Sequence, residues 1–389
     1  MFFSLAVIMI SGLAAGAICK KMKLPPLLGM LLAGILTGPF VLNLIDGSIL
    51  GISAELRKMA LVIILARAGL SLRLKDLKKV GRPAILMCFI PACFEIAGMV
   101  LIAPRLFGVS IPEALVIGAV TGAVSPAVIV PKMLRLMERG YGKNKSIPQM
   151  ILAGASVDDV FVIVLFSAFT QLAQTNQFSA ASLSAIPAFI LLGIAVGLAS
   201  GFLFGKFLKR VHIRDTIKLL LMMSVAFLFI SFEDQFSAFV PFSALLAVMC
   251  MGIAMQNIRP GAAERLSVKL NKIWYGAEVL LFVLIGAAVN LEYVMQAGVA
   301  VVVLIFVVLL FRMAGVMVCL IQTDLNWRER VFCAIAYLPK ATVQAAIGGV
   351  PLAMGMPCGQ IVLTVAVMSI IITAPLGAFL IDLTYCRLL

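Results

Sequence analysis

The chain has 389 residues, of which 63% are hydrophobic and 12% charged, against nearer half and a quarter in soluble proteins. A water-soluble domain cannot hide that much apolar surface, which excludes an ordinary soluble enzyme, a disordered chain and a nucleic-acid-binding chain. The formal charge of +14, from 31 Lys and Arg against 17 Asp and Glu, reads as positive-inside loops. At about 20 residues per spanning helix the length allows roughly 12 to 14 spans. Few segments alternate with the period of two that a membrane barrel needs. The sequence therefore predicts an all-α polytopic membrane protein.

Thirteen apolar segments follow in chain order, at 2–18, 24–42, 56–72, 83–106, 112–134, 148–173, 184–206, 217–232, 236–255, 266–290, 296–321, 330–352 and 359–383. The first has no positive n-region and no A-x-A site, so it reads as a retained span rather than a signal peptide. Loops after the odd-numbered segments, with the C-terminus, carry 25 Lys and Arg, and the opposite side carries 3. This predicts an outside N-terminus and a cytoplasmic C-terminus. The eight Cys are scattered, with no metal-ligand spacing and no disulfide pattern.

An offset of seven segments pairs 2–6 with 9–13 as inverted repeats and leaves 1, 7 and 8 outside them. Segments 5 and 12 are then equivalent, and both are interrupted. One holds Pro112, Gly118, Gly122, Pro126 and Pro131; the other holds Pro339, Gly348, Gly349 and Pro351. Interrupted segments in corresponding places of two halves point to a transporter's midplane site. Segments 4 and 11 each carry one ionisable residue deep in the span, Glu95 and Arg312. These are expected to form a buried pair.

Charge inside a span costs about 2.5–3.5 kcal/mol on insertion scales, so it usually marks function. Segment 6 holds Asp158 and Asp159 as the only charges between Ile147 and Leu172. Adjacent helical positions point about 100° apart, so both carboxylates open onto one cavity without stacking. Their hard oxygens suit a proton or a small alkali cation, and mutually exclusive occupancy would couple the two fluxes. Arg312 cannot deprotonate, whereas Lys tunes readily; Lys340, at a helix break, is expected to neutralise the Asp pair when no cation is bound.

These residues resemble the monovalent cation/proton antiporter superfamily, in its NHA branch of sodium/hydrogen exchangers. The likeness spans essentially the whole chain. It rests on Asp158-Asp159, on Thr121-Gly122-Ala123-Val124-Ser125-Pro126 in the preceding span, and on Glu95, Arg312 and Lys340. It implies a NhaA-like fold of about 13 transmembrane helices, with two broken helices crossing beside the cation site and Pro126 at one break. Thr121 and Ser125 join Asp158 and Asp159 as cation and proton ligands, with Na⁺ at the Asp pair. Glu95, Arg312 and Lys340 compensate charge. It further implies a core ion-transport domain of 81–175 and 296–384, a dimerisation domain of 1–74 and 214–292, and a linker helix at 180–207. The expected protein is a homodimeric exchanger of Na⁺ or Li⁺ for H⁺ by alternating access. It is multi-pass in the cell (inner) membrane, in contact with lipid, and neither an enzyme nor dependent on a cofactor.

Other classes fit less well. A channel or a proton-translocating subunit of a larger complex would string charges along several spans, whereas here they converge. An intramembrane aspartyl protease needs two facing Asp residues sharing a proton, and these two diverge on one helix. Gly193, Gly197, Gly201 and Gly205 repeat every four residues on segment 7, a spacing that lets helices approach closely. Glu278 is a further intramembrane acid, for a cavity or a subunit contact. Arg67 is expected to snorkel, and His212 to sit in a solvated loop among Lys209, Arg210 and Arg214.

Overall fold

The computed structural model describes all residues except 73–80, 143, 175–179, 212 and 237–241, with no side-chain description at 156 or 180–189. His212 therefore lies outside the described residues. Helices among the described residues are α1 Phe2–Lys21, α2 Pro26–Thr37, α3 Gly47–Gly51, α4 Ser53–Ser71, α5 Arg82–Met87, α6 Ile90–Phe107, α7 Ile111–Thr121, α8 Pro126–Glu138 and α9 Ile147–Gln174. They continue with α10 Ala180–Arg210, α11 Asp215–Phe236, α12 Ala244–Ile258, α13 Pro260–Ala287, α14 Leu291–Cys319, α15 Trp327–Ala336, α16 Thr342–Ile347, α17 Val350–Ala353 and α18 Gly359–Leu388. Among the described residues there is no strand.

Local chemistry sets many of these ends. Ser110 and Asn326 each form a capping box, with Glu113 and Glu329, at the starts of α7 and α15. Pro26 and Pro126 begin α2 and α8, where a missing N–H costs nothing. Asn290 accepts from the Glu292 N–H at 2.9 Å to start α14. Lys20 and Lys21 close α1 at its negative end.

Nine helices among the described residues are long and apolar enough to span a membrane, and Pro26–Thr37, Ala244–Ile258 and Thr342–Ala353 are shorter apolar ones. Length and composition do not fix the count at thirteen. α14 shows the exposed apolar surface most plainly. It is the most apolar of the nine, yet only 28% of its most apolar stretch is buried within the protein. Met295 and Val299 are 84% and 82% exposed. Such a face needs an apolar environment rather than water. The expected segment 4 matches a span at Arg82–Phe107, interrupted by a turn at Cys88 and Phe89 between α5 and α6, just before Pro91.

The chain divides into two compact units. The first comprises Met1–Ala54, Lys75–Val162 and Val279–Leu389. Here α6 packs along α14 and α1 along α2. A core of Met87, Val124, Ile129, Met133, Ile151, Val316, Phe332 and Tyr337 lies among α5, α8, α9, α14 and α15. The second comprises Glu55–Leu74 and Ile163–Glu278. Its central contact is α10 against α12. The glycine stripe makes that contact: a Cβ at Gly197 would lie 2.5 Å from the Ala247 carbonyl oxygen, and one at Gly201 would lie 2.4 Å from that of Met251. The Arg67 guanidinium lies 5.7 Å from the centroid of the Trp274 ring, an aromatic face that attracts a cation.

Candidate functional site

Two helices of the first unit break at the same place. α7 stops at Thr121 and α8 begins at Pro126; α15 stops at Ala336 and α16 begins at Thr342. The breaks touch through the backbone, with the Ser125 N–H donating to the Pro339 carbonyl at 2.8 Å. A broken helix leaves carbonyls at one end and N–H groups at the other without helical partners, and away from water each must be satisfied.

Charged side chains meet that need with the sign each end requires. Lys340 Nζ donates to the Thr121 carbonyl and Arg312 Nη1 to that of Gly122. Arg312 Nε donates to the Tyr337 carbonyl at 2.8 Å, where α15 ends. At the opposite polarity, the Val124 N–H donates to Asp158 Oδ2 at 2.7 Å. Gln344 Nε2 donates to the Ala123 carbonyl at 2.8 Å and to that of Thr121 at 3.3 Å. The Lys340 N–H donates to Thr373 Oγ1 at 2.9 Å.

The same charges pair with one another. Arg312 Nη1 lies 2.9 Å from Glu95 Oε2, Arg312 Nη2 lies 2.9 Å from Asp158 Oδ2, and Lys340 Nζ lies 2.6 Å from Glu95 Oε1. All four residues are at most 1% exposed. Arg312 thus bridges two acids with its planar fork and also lies 5.6 Å from the centroid of the Tyr337 ring. Buried ions are tolerable only when paired and hydrogen-bonded in this way. Gly154 makes room for the arrangement, since a Cβ there would lie 2.0 Å from the Tyr337 hydroxyl.

Glu95 and Arg312, expected to pair from their equivalent places in the repeats, are brought together. Lys340 differs from expectation: its ammonium lies on Glu95, and the base on Asp158 is Arg312. The reason is the Thr121 carbonyl, which anchors Lys340 on the Glu95 side of the break. Asp158 and Asp159 diverge as helical geometry requires, the first fully buried and the second half-buried. Ser125 and Thr121 are buried at the break, and Thr121 Oγ1 donates back to the carbonyls of Ile117 and Gly118 at 3.2 Å. Glu278 lies outside this constellation, in the second unit.

The sequence reading did not single out Gln344, Thr342, Thr373 or Tyr337. Gln344 carried a signal, being a polar residue four places after Lys340 in an otherwise apolar run. The Tyr337 contribution is a backbone carbonyl and has no residue signature. Oxygens buried here without a hydrogen-bond partner include Asp158 Oδ1, Ser125 Oγ, Tyr337 Oη, Thr342 Oγ1 and Gln344 Oε1. Among the described residues no group of three or more His, Cys, Asp and Glu is placed to hold a metal ion.

The sequence profile described as "Sodium/hydrogen exchanger, transmembrane" matches residues 5–383. The chain belongs to the sodium/hydrogen exchanger family. This is a transporter family, and its member here is a multi-pass membrane protein. Sodium/hydrogen exchanger 9B2 of Homo sapiens is 34% identical over 385 residues, covering 94% of this chain and 70% of that one. Sodium/hydrogen exchanger 9B2 of Xenopus tropicalis is 32% identical over 413 residues, covering 100% and 75%. Sodium/hydrogen exchanger 9B1 of Homo sapiens is 29% identical over 419 residues, covering 97% and 76%. Among solved structures, the sodium proton antiporter MjNhaP1 from Methanocaldococcus jannaschii at pH 8 superposes with a TM-score of 0.85. It covers 99% of this chain and 97% of that one at 21% identity, a likeness of fold.

Proposed function

We propose that this sodium/hydrogen exchanger family member exchanges Na⁺ or Li⁺ for H⁺ across a cell (inner) membrane, with cation and proton competing for Asp158 and Asp159. The observation that carries the reading is the meeting of two helix breaks at a buried carboxylate, Asp158, that has one oxygen held by Arg312 and the Val124 N–H and the other without a partner. A carboxylate so placed offers hard oxygen to a desolvated cation and accepts a proton in its stead. Asp159, one position on and less deeply buried, supplies the second carboxylate and the more accessible one. Arg312, Lys340 and Glu95 hold the breaks together and keep the local charge balanced. Alternating access takes place in a homodimer, by movement of a core of 81–175 and 296–384 against a dimerisation domain of 1–74 and 214–292, joined by the helix at 180–207.

The test is cation-driven proton flux in proteoliposomes, with Na⁺, Li⁺ and K⁺ compared. Na⁺ and Li⁺ should collapse an imposed pH gradient, and Asp159→Asn should abolish that response while leaving a folded protein. Full activity in the Asp159→Asn protein would remove Asp159 from the site. Competition adds a pH signature. A group that binds either ion but not both binds each more weakly when the other is abundant. Raising the proton concentration should therefore raise the apparent KM for cation with little change in the maximum rate. A KM independent of pH throughout the active range would exclude the shared site.

A further inference from the structure

The broken-helix site satisfies its open backbone carbonyls, which makes its unpartnered side-chain oxygens informative. Carbonyls at Thr121, Gly122, Ala123, Tyr337 and Pro339 all accept hydrogen bonds from side chains or backbone. Yet Gln344 Oε1 and Thr342 Oγ1, on residues 0% and 3% exposed, have no partner. A buried polar atom without a partner carries its full desolvation penalty, so such an atom calls for an explanation.

The orientation of the Gln344 amide is fixed by its surroundings. Its nitrogen donates to two backbone carbonyls, Ala123 at 2.8 Å and Thr121 at 3.3 Å. An amide oxygen turned toward those carbonyls would meet only acceptors. Oε1 must therefore point away from them. Ala123 is the neighbour of Val124, whose N–H holds Asp158 Oδ2 at 2.7 Å. Gln344 and Asp158 thus hold the two sides of one peptide bond, the Ala123 carbonyl and the Val124 N–H, and each has one oxygen without a partner. Thr342 lies two positions before Gln344 in the first turn of α16.

We propose that Gln344 and Thr342 supply neutral oxygen ligands to the transported monovalent cation, completing from the second broken helix a shell begun by the Asp pair. This rests on the exchange function proposed above. A proton needs one oxygen, but a hard cation stripped of water needs several. Neutral oxygens therefore bear on cation affinity far more than on proton affinity, and they set which alkali ion fits.

The experiment uses the full chain in proteoliposomes with Na⁺ and Li⁺ as probes, at a pH high enough that protons do not compete. Thr342→Val removes a hydroxyl that makes no hydrogen bond, at nearly constant shape. It should leave the cation-free melting temperature unchanged or higher, yet raise the cation KM by on the order of tenfold, comparable to losing a supporting ligand at a metal site. It should also shift the Na⁺ to Li⁺ preference. Gln344→Met should raise KM similarly. An unchanged KM and ion preference in Thr342→Val would overturn the assignment, as would an unchanged KM in Gln344→Met. Absence of cation-driven flux in the parent would instead remove the exchange function, and this proposal with it. Cation-induced thermal stabilisation gives a binding readout separate from flux; it should weaken in Thr342→Val and Gln344→Met.

Discussion

The contact of α10 with α12 and the crossing of the two broken helices solve the same problem by opposite means. Both bring backbones close together inside an apolar environment. In the second unit, unbroken helices satisfy their own hydrogen bonds, and closeness needs only glycine at Gly197 and Gly201. In the first unit, helices are cut, and their open ends are closed by Arg312, Lys340, Asp158 and Gln344. The lesson is that small residues permit approach, whereas buried charge permits a break. Breaks expose backbone dipoles to one another, so the ionic solution is found where the helices are cut.

The largest effect is expected at Arg312. Arg312→Ala leaves Glu95 and Asp158 buried with less compensation and two carbonyls without their donor. It should destabilise by about 3–5 kcal/mol, as for other broken buried pairs, and abolish exchange. Exchanging the charges of Glu95 and Arg312 should restore part of the stability. Thermal melting in detergent checks both, and an Arg312→Ala protein that melts and transports like the parent would show that buried charge does not hold the break.

Gly201→Val probes the other region. Its Cβ would press on the Met251 carbonyl, and overpacking of this kind costs about 1–3 kcal/mol. Stability should fall while the cation KM of the folded protein stays unchanged. A changed KM would show that helix spacing in the second unit also tunes the ion site.

Asn326→Ala isolates capping from ion chemistry. Asn326 and Glu329 form the capping box of α15, and Lys145 pairs with Glu329 at 2.8 Å. A loss of about 1 kcal/mol is expected, read from the melting temperature, with the ion preference intact. The smallest effect belongs to Lys58→Ala. Its partner Asp234 is 2.8 Å away, but the side chains are 40% and 58% exposed, and such pairs contribute at most about 1 kcal/mol. The distance nearly equals that of Arg312 to Glu95, but Arg312 also holds Asp158 and two carbonyls, so the two variants contrast a buried network with an exposed pair.

Much of the site could be read from residue order. Glu95, Asp158, Arg312 and Lys340 stand out because charge is rare within apolar runs, and the interrupted runs around Pro126 and Pro339 mark the breaks. Hydropathy likewise located the helices, since a span must bury about 20 apolar residues in lipid whatever its neighbours do. Partner choice was not legible in the same way. The division of Asp158 to Arg312 and Lys340 to Glu95 depends on which open carbonyl each cation reaches, and so on the crossing of chain segments up to 245 positions apart. The roles of the Val124 N–H and the Tyr337 carbonyl were hidden for a related reason: every residue carries such groups, and only a break in a helix frees them. Composition and the order of charges thus determined the fold class and the cast of ionisable residues, because both follow from the cost of placing polar groups in hydrocarbon. Beyond the Glu95–Arg312 pair, the tertiary structure decided which of them meet, because hydrogen bonds are short and directional and only the packed crossing fixes their geometry.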